Sequence, residues 1–206
     1  MNKPSTVALD ANACIIHSLN LDIDHSIRIQ HCDCKYVRSL VTSCRGEAIE
    51  VGTFGTAKDE CNRNITGAAV ELARKIGVLY DNYVALKVRR ISMDHLRELF
   101  SMITEFEERH TPEEIQAARQ FFKDCRIPSR SKSKDNIPGD DDLILFVSSH
   151  NLRPEITHFV SEDPHFVDYA KKIEESAYRV RVMPIQDLAQ ILEELNWPVV
   201  SNFTDT

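Results

Sequence analysis

Residues 157–166 read Thr-His-Phe-Val-Ser-Glu-Asp-Pro-His-Phe. An apolar run, Phe159-Val160, reaches an acidic corner at Ser161-Glu162-Asp163, and the chain turns at Pro164 before resuming with Phe166. A short apolar run bounded by turn residues predicts a buried strand from Thr157 to Ser161. Phe166 to Ser176 then predicts a helix, and Arg179 to Met183 a strand of alternating basic and apolar residues. Pro184 to Leu195 predicts a last helix, with Ile185, Leu188, Ile191, Leu192 and Leu195 on one face.

The other end of the chain has the same rhythm. Thr6-Val7-Ala8-Leu9 is an apolar run that stops at Asp10 and predicts a second buried strand. Ala13 to Ser18 starts a helix or an ordered loop, and residues 20–34 are polar and poorly periodic. Tyr36 to Val41 has helical spacing that Gly46 can close. Ala48 to Val51 predicts a strand, and Thr53 to Ile65 a helix with Thr53 or Thr56 as N-cap. Strands alternating with helices at both ends predict an α/β fold with a central parallel sheet covered by helices.

Between these ends, residues 68–125 read as helical and predict a long helical insertion packed on the sheet. Its last helix opens with Thr111-Pro112-Glu113-Glu114, an N-cap, a proline at the first helical position and an acid two places on. Residues 126–139 predict a basic linker carrying Arg126, Arg130, Lys132 and Lys134, which serves as a surface loop and as a contact for an anionic substrate. Asp140-Asp141-Asp142 then opens an apolar helix, LILFVSSHNL. No repeat or low-complexity tract divides the chain, so residues 1–206 are expected to form a single domain.

The composition, 42% hydrophobic and 28% charged, is that of a soluble globular protein. No apolar run is long enough to span a bilayer. The start, MNKPSTVALDANACII, has one basic residue, Lys3, and Asp10 interrupts its apolar stretch, so a signal peptide is not expected and a cytoplasmic location is. Reduced thiols are then the default for the six cysteines. Cys14 and Cys61 fall in core-like patterns, and His31-Cys32-Asp33-Cys34 lacks the second ligand pair that a zinc site needs. A formal charge of −7 argues against a global attraction to nucleic acid, so an anionic substrate requires a local basic patch or a bridging cation.

In open parallel sheets, ligands bind outside the carboxyl ends of the strands. Two predicted strands end in carboxylates there, Asp10 and Asp163. Glu60 lies in the helix after another strand, and Asp142 starts the helix before the Asp163 strand. Gathered together, such carboxylates raise one another's pKa, and a hard divalent cation relieves the repulsion. Each has a plainer reading. Asp10 can cap a turn, Glu60 can lie on a solvated helix face beside its rival Asp59, Asp142 can be a helix cap, and Asp163 can be a turn residue before Pro164. His165 reads as a turn histidine. Ser148 and Ser149 lie in an apolar helix with no partners spaced to make either a nucleophile.

Four pieces in order, VALDANACI, TAKDECNRNI, DDDLILFVSSHNL and THFVSEDPHF, resemble the PIN domain, a class of metal-dependent ribonucleases. The resemblance implies a PIN-like three-layer α/β/α fold. It implies Asp10, Glu60, Asp142 and Asp163 as metal ligands for Mg²⁺ or Mn²⁺, with Asp140 and Asp141 as alternates to Asp142. Asn12 would buttress Asp10, and Ser161 would stand where the family has an orienting hydroxyl. The implied activity is endoribonucleolytic, with metal-activated water attacking an RNA phosphodiester. A member acting as a toxin would have a small antitoxin-like protein as partner. Homodimers are common in the family, and Leu96, Leu99, Ile103 and Phe106 offer an apolar face.

The chain departs from the family pattern at His165, where a further acid is frequent, and in the length of its helical middle. The alternative reading is a PIN fold kept as an RNA- or protein-binding module without catalysis. A more remote one is a phosphatase of the haloacid-dehalogenase type. ALDAN and GDDDL resemble that family's aspartate motifs, but Asn12 stands where its proton donor is needed.

Overall fold

The computed structural model describes residues 6–24, 27–31, 41, 49–79, 81–125, 137–152 and 155–194. The helix expected from Tyr36 to Gly46, Cys32, Cys34 and Cys44, Leu195, and the basic residues Arg126, Arg130, Lys132 and Lys134 lie outside the described residues.

The strands are β1 (Thr6–Leu9), β2 (Asn20–Ile23), β3 (Ile27–Gln30), β4 (Glu50–Phe54), β5 (Thr104–Phe106), β6 (Thr157–Val160) and β7 (Val180–Met183). The described helices are α1 (Ala11–Ser18), α2 (Gly55–Lys75), α3 (Asn82–Met102), α4 (Pro112–Asp124), α5 (Asp140–Asn151), α6 (Pro164–Val167), α7 (Ala170–Glu174) and α8 (Ile185–Glu194). Five strands form one sheet in the order β5-β4-β1-β6-β7, and every neighbouring pair is parallel. The chain is thus α/β, with a parallel sheet flanked by helices, compatible with a three-layer arrangement. Among the described residues, no helix is long and apolar enough to cross a membrane.

Burial explains the strand sequences. All four residues of β1 and of β6 are buried, so neither strand alternates between a core face and a solvent face, and Thr157 and His158 are buried polar residues of β6. β1 is central, pairing Val7 with Val51 on one side and with His158 on the other. Thr53 on β4 donates its hydroxyl to the Leu9 carbonyl at 2.7 Å, a cross-strand tie where β1 ends. Beneath the strands lies a block of aromatic rings. Phe122 of α4 meets Phe146, Phe166 and Tyr169 with centroids at 5.4, 5.9 and 5.5 Å, and Phe166 meets Phe159 at 5.1 Å. Edge-on pairs of this kind contribute roughly 0.5–1.5 kcal/mol each beyond their buried area. The block joins α4, α5, α6 and β6 into one unit.

Several expectations need correction. The stretch 68–125 contains β5 as well as helices, and β5 pairs Gly52, Thr53 and Phe54 with Thr104, Glu105 and Phe106. Phe106 packs on Phe54 at 5.7 Å, so its burial against β4 overrides the helical periodicity of its neighbours. Leu96, Leu99, Ile103 and Phe106 are buried in the core, so they do not form a free face for a second copy. The helix of residues 55–75 runs through Gly67, and Thr53 and Thr56 do not cap it; Phe54 holds the N-cap position and Thr53 belongs to β4. β2 and β3 pair antiparallel, with Leu21, Ile23 and Ile29 buried. The expected helix from Phe166 to Ser176 is two short helices, α6 and α7. The capping arrangement at Thr111 is present as expected, with Glu114 reaching back to the Thr111 N–H at 2.8 Å.

Candidate functional site

Counted along the sheet strands alone, the order is third, second, first, fourth, fifth. The chain leaves β1 toward one edge and later returns to build the other edge from β6. The crevice between the carboxyl ends of β1 and β6 is therefore the topological switch point, where open α/β sheets bind ligands. Asp10 directly follows β1, and Ser161, Glu162 and Asp163 directly follow β6.

The two strand ends are joined by a hydrogen-bond network. Asp10 caps α1, its Oδ1 accepting from the Ala11 N–H at 2.7 Å. Its Oδ2 accepts from Asn12 Nδ2 at 2.8 Å and from the Ser161 hydroxyl at 2.7 Å. Asn12 Oδ1 accepts from the Glu162 N–H at 3.0 Å, and Ser161 Oγ accepts from the Asp163 N–H at 3.0 Å. Asp163 caps α6, its Oδ1 accepting from the His165 N–H at 2.8 Å, with His165 Nδ1 at 3.0 Å from the same oxygen. Asn12 and Ser161 are thus both hydrogen-bonded partners of Asp10. These three side chains span 151 residues of sequence.

Asp10 is 2% exposed. Burial pushes its carboxyl up to about 7, against the bond from Ser161, and the charges of Asp142 and Glu60 push the same way. Glu60 and Asp142 are half-buried, and burial raises both above the ordinary carboxylate range. Asp142 and Asp141 raise Glu60 further, and Asp163 raises Asp142. The four carboxylates therefore share one field at the switch point. Among the described residues, no group of three or more His, Cys, Asp or Glu side chains is arranged to hold a metal ion.

The three adjacent aspartates separate by direction. Asp140 pairs with Arg119 of α4. Asp141 pairs with Arg63 of α2 at 3.3 Å. Asp142 folds back onto the Gly139 N–H at 2.9 Å, and it is the one whose charge bears on Asp10. Asp59 is exposed, whereas Glu60 is half-buried. Ser148 and Ser149 are buried and held by backbone: Ser149 donates to the Leu145 carbonyl at 2.8 Å, and Ser148 accepts from the Arg109 N–H at 3.2 Å.

Two neighbours of the site were not singled out from sequence. Arg63 lies one helical turn beyond Glu60 and is the cation that opposes the rise in the Glu60 pKa. Its signal was the i,i+3 spacing from Glu60 on an exposed helix face. Glu162 accepts from the Ile185 N–H at 2.7 Å and so ties the β6 corner to the start of α8. No local pattern carried that contact. Comparison of the chain with family models, with curated proteins and with solved structures finds no match.

Proposed function

We propose that the chain is a divalent-metal-dependent endoribonuclease whose site is built on Asp10, Glu60, Asp142 and Asp163. The observation that carries this reading is the mutual field of these carboxylates at the switch point, with Asp10 raised to about 7. Clustered carboxylates that raise one another, opposed at Glu60 by Arg63, suit a hard cation, and the donors are all oxygen, the set that Mg²⁺ and Mn²⁺ take. Bound there, such an ion supplies a Lewis acid for a phosphoryl oxygen and lowers the pKa of a water.

The chain's own residues have distinct tasks in this reading. Asp10 is the fixed ligand, because the Ser161 and Asn12 donors hold one oxygen and the Ala11 N–H the other. Oδ2 already accepts two bonds and Oδ1 one, so the lone pair left for a ligand is on Oδ1. Asp163 extends the site from the β6 end. Glu60, in the second turn of α2, and Asp142, in the first turn of α5, close the set. Asp140 and Asp141 are engaged by Arg119 and Arg63, so Asp142 is the ligand chosen from the acidic triplet. RNA is the substrate class, and a reducing cytoplasm suits the free, buried thiols of Cys14 and Cys61.

One observation favours the alternative of a binding module without catalysis: among the described residues the carboxylates do not form a metal-holding group as placed. Calorimetric titration of Mn²⁺ into the wild type and Asp10→Asn, followed by cleavage of a mixed-sequence RNA, separates the two. Binding and cleavage that Asp10→Asn abolishes support the nuclease. RNA affinity that persists in a chelator, with no cleavage in millimolar Mn²⁺, supports the module.

A further inference from the structure

A second cleft lies at the other end of α5, away from the carboxylates. Asp142 is in the first turn of that helix and His150 and Asn151 in its last, about 12–14 Å apart along the axis. The cleft has a volume near 760 Å³ and is lined by Arg109, His110, Glu114, His150, Asn151 and Arg179, among others. Its residues come from the loop after β5, the first turn of α4, the end of α5 and the approach to β7.

The donors there come from separate segments and line one cleft. The Arg109 backbone is pinned on both sides, its N–H to the Ser148 hydroxyl at 3.2 Å and its carbonyl by Asn151 Nδ2 at 2.7 Å. Its guanidinium uses Nε and Nη2 on Glu107, at 2.9 and 2.6 Å, which leaves Nη1 for a ligand. His150 Nδ1 accepts from the Arg179 N–H at 3.0 Å, so the proton of the neutral ring is on Nε2. The Arg179 guanidinium has no hydrogen-bonded or ion-paired partner among the described residues. The single acid in the lining, Glu114, is already engaged by the Thr111 N–H at 2.8 Å and lies 3.4 Å from Asn151 Nδ2.

We propose that this cleft binds a phosphate monoester, with the guanidinium groups of Arg109 and Arg179 and the Nε2–H of His150 as its donors. The Arg179 fork and the remaining Nη1 of Arg109 come from separate segments and can meet different oxygens of a dianion. The volume exceeds a bare phosphate ion and fits a small organic ester. Two sources share this chemistry, a free mononucleotide and the 5′-phosphate end of an RNA strand.

The test is calorimetric titration with AMP in EDTA, so that no phosphate held through a cation at the carboxylates is counted. Adenosine, inorganic phosphate, and a short oligoribonucleotide with a 5′-phosphate or a 5′-hydroxyl are the companion probes. The expected result is saturable AMP binding, none by adenosine, and a loss of about tenfold or more in Arg179→Glu. Arg109→Gln, which alters a solvent-exposed side chain, is expected to weaken binding several-fold. An oligonucleotide that binds only with its 5′-phosphate, with the same dependence on Arg179, identifies the strand end as the source; binding by AMP without the oligonucleotide identifies the nucleotide. The proposal is overturned if neither AMP, phosphate nor the phosphorylated strand binds at roughly 10 mM. It is equally overturned if folded Arg179→Glu, checked by circular dichroism, binds as the wild type does.

Discussion

The aromatic block and the carboxyl edge occupy the same sheet and follow opposite rules. In the block, each ring meets others edge-on, and Phe122 alone touches three that lie on α5, α6 and the turn after it. Each contact agrees with the rest. At the edge, Asp10 is as buried as the rings but sits in the field of Glu60 and Asp142. One region is arranged for stability, and the other holds charge that stability alone would remove. The difference predicts that substitutions in the two regions move stability and activity in different directions.

The largest expected effect is at Asp10. Asp10→Asn is expected to lower RNA cleavage about a thousandfold, because it removes the fixed ligand and leaves the fold. A cleavage rate within tenfold of wild type would break the assignment. Phe122→Ala is the mirror case, expected to cost about 3–5 kcal/mol in urea unfolding while the surviving folded fraction keeps its Mn²⁺ affinity. A parallel loss of Mn²⁺ binding would mean that the two regions are not separable.

The next effect is on pH. The Asp10 carboxyl is near 3.8 when exposed and near 7 when folded, so between these values the folded state holds a proton that the unfolded state has released. Metal-free stability therefore falls as pH rises from about 4 to about 7 and levels off above. Glu60 and Asp142 are raised too and add to the fall. Thermal unfolding in EDTA across this range is expected to show a flatter profile for Asp10→Asn, and a melting temperature that rises with pH in the wild type would refute it. Ser161→Ala is expected to be milder, roughly ten- to a hundredfold in metal affinity, because it removes one of the two donors holding Asp10 Oδ2. The smallest is Asp141→Asn, which breaks an exposed pair with Arg63 and is expected to change stability by less than about 0.5 kcal/mol.

Much of the α/β alternation could be read from sequence, because β1 and β6 are buried on both faces and carry the short apolar stretches Val7-Ala8-Leu9 and Phe159-Val160 just before turn residues. The partnership of Asp10, Asn12 and Ser161 was legible for a related reason. Asp10 and Ser161 directly follow their strands and Asn12 lies three residues past β1, so the topology fixes where they meet. The direction of the acidic triplet was not legible. Asp140, Asp141 and Asp142 differ in the helices that face them, and Arg119 and Arg63 are far away in sequence. The pairing of β2 and β3 was missed because Leu21, Ile23 and Ile29 alternate with polar residues over too short a span to stand out. The phosphate cleft left no motif at all, since it joins the ends of four segments.

β5 was missed for another reason, and that reason has a consequence for the molecule's edge. A Cβ at Gly52 would stand 2.5 Å from the Thr104 carbonyl oxygen and 2.6 Å from the Phe106 ring. The three residues of β5 can pair with β4 because position 52 has no side chain. Gly52→Val would push β5 away and leave the flank of β4 with unpaired backbone donors and acceptors. An uncovered flank of that kind is a template for a strand from another molecule. One missing side chain thus keeps β4 covered by β5, and its replacement would show first as self-association at high concentration.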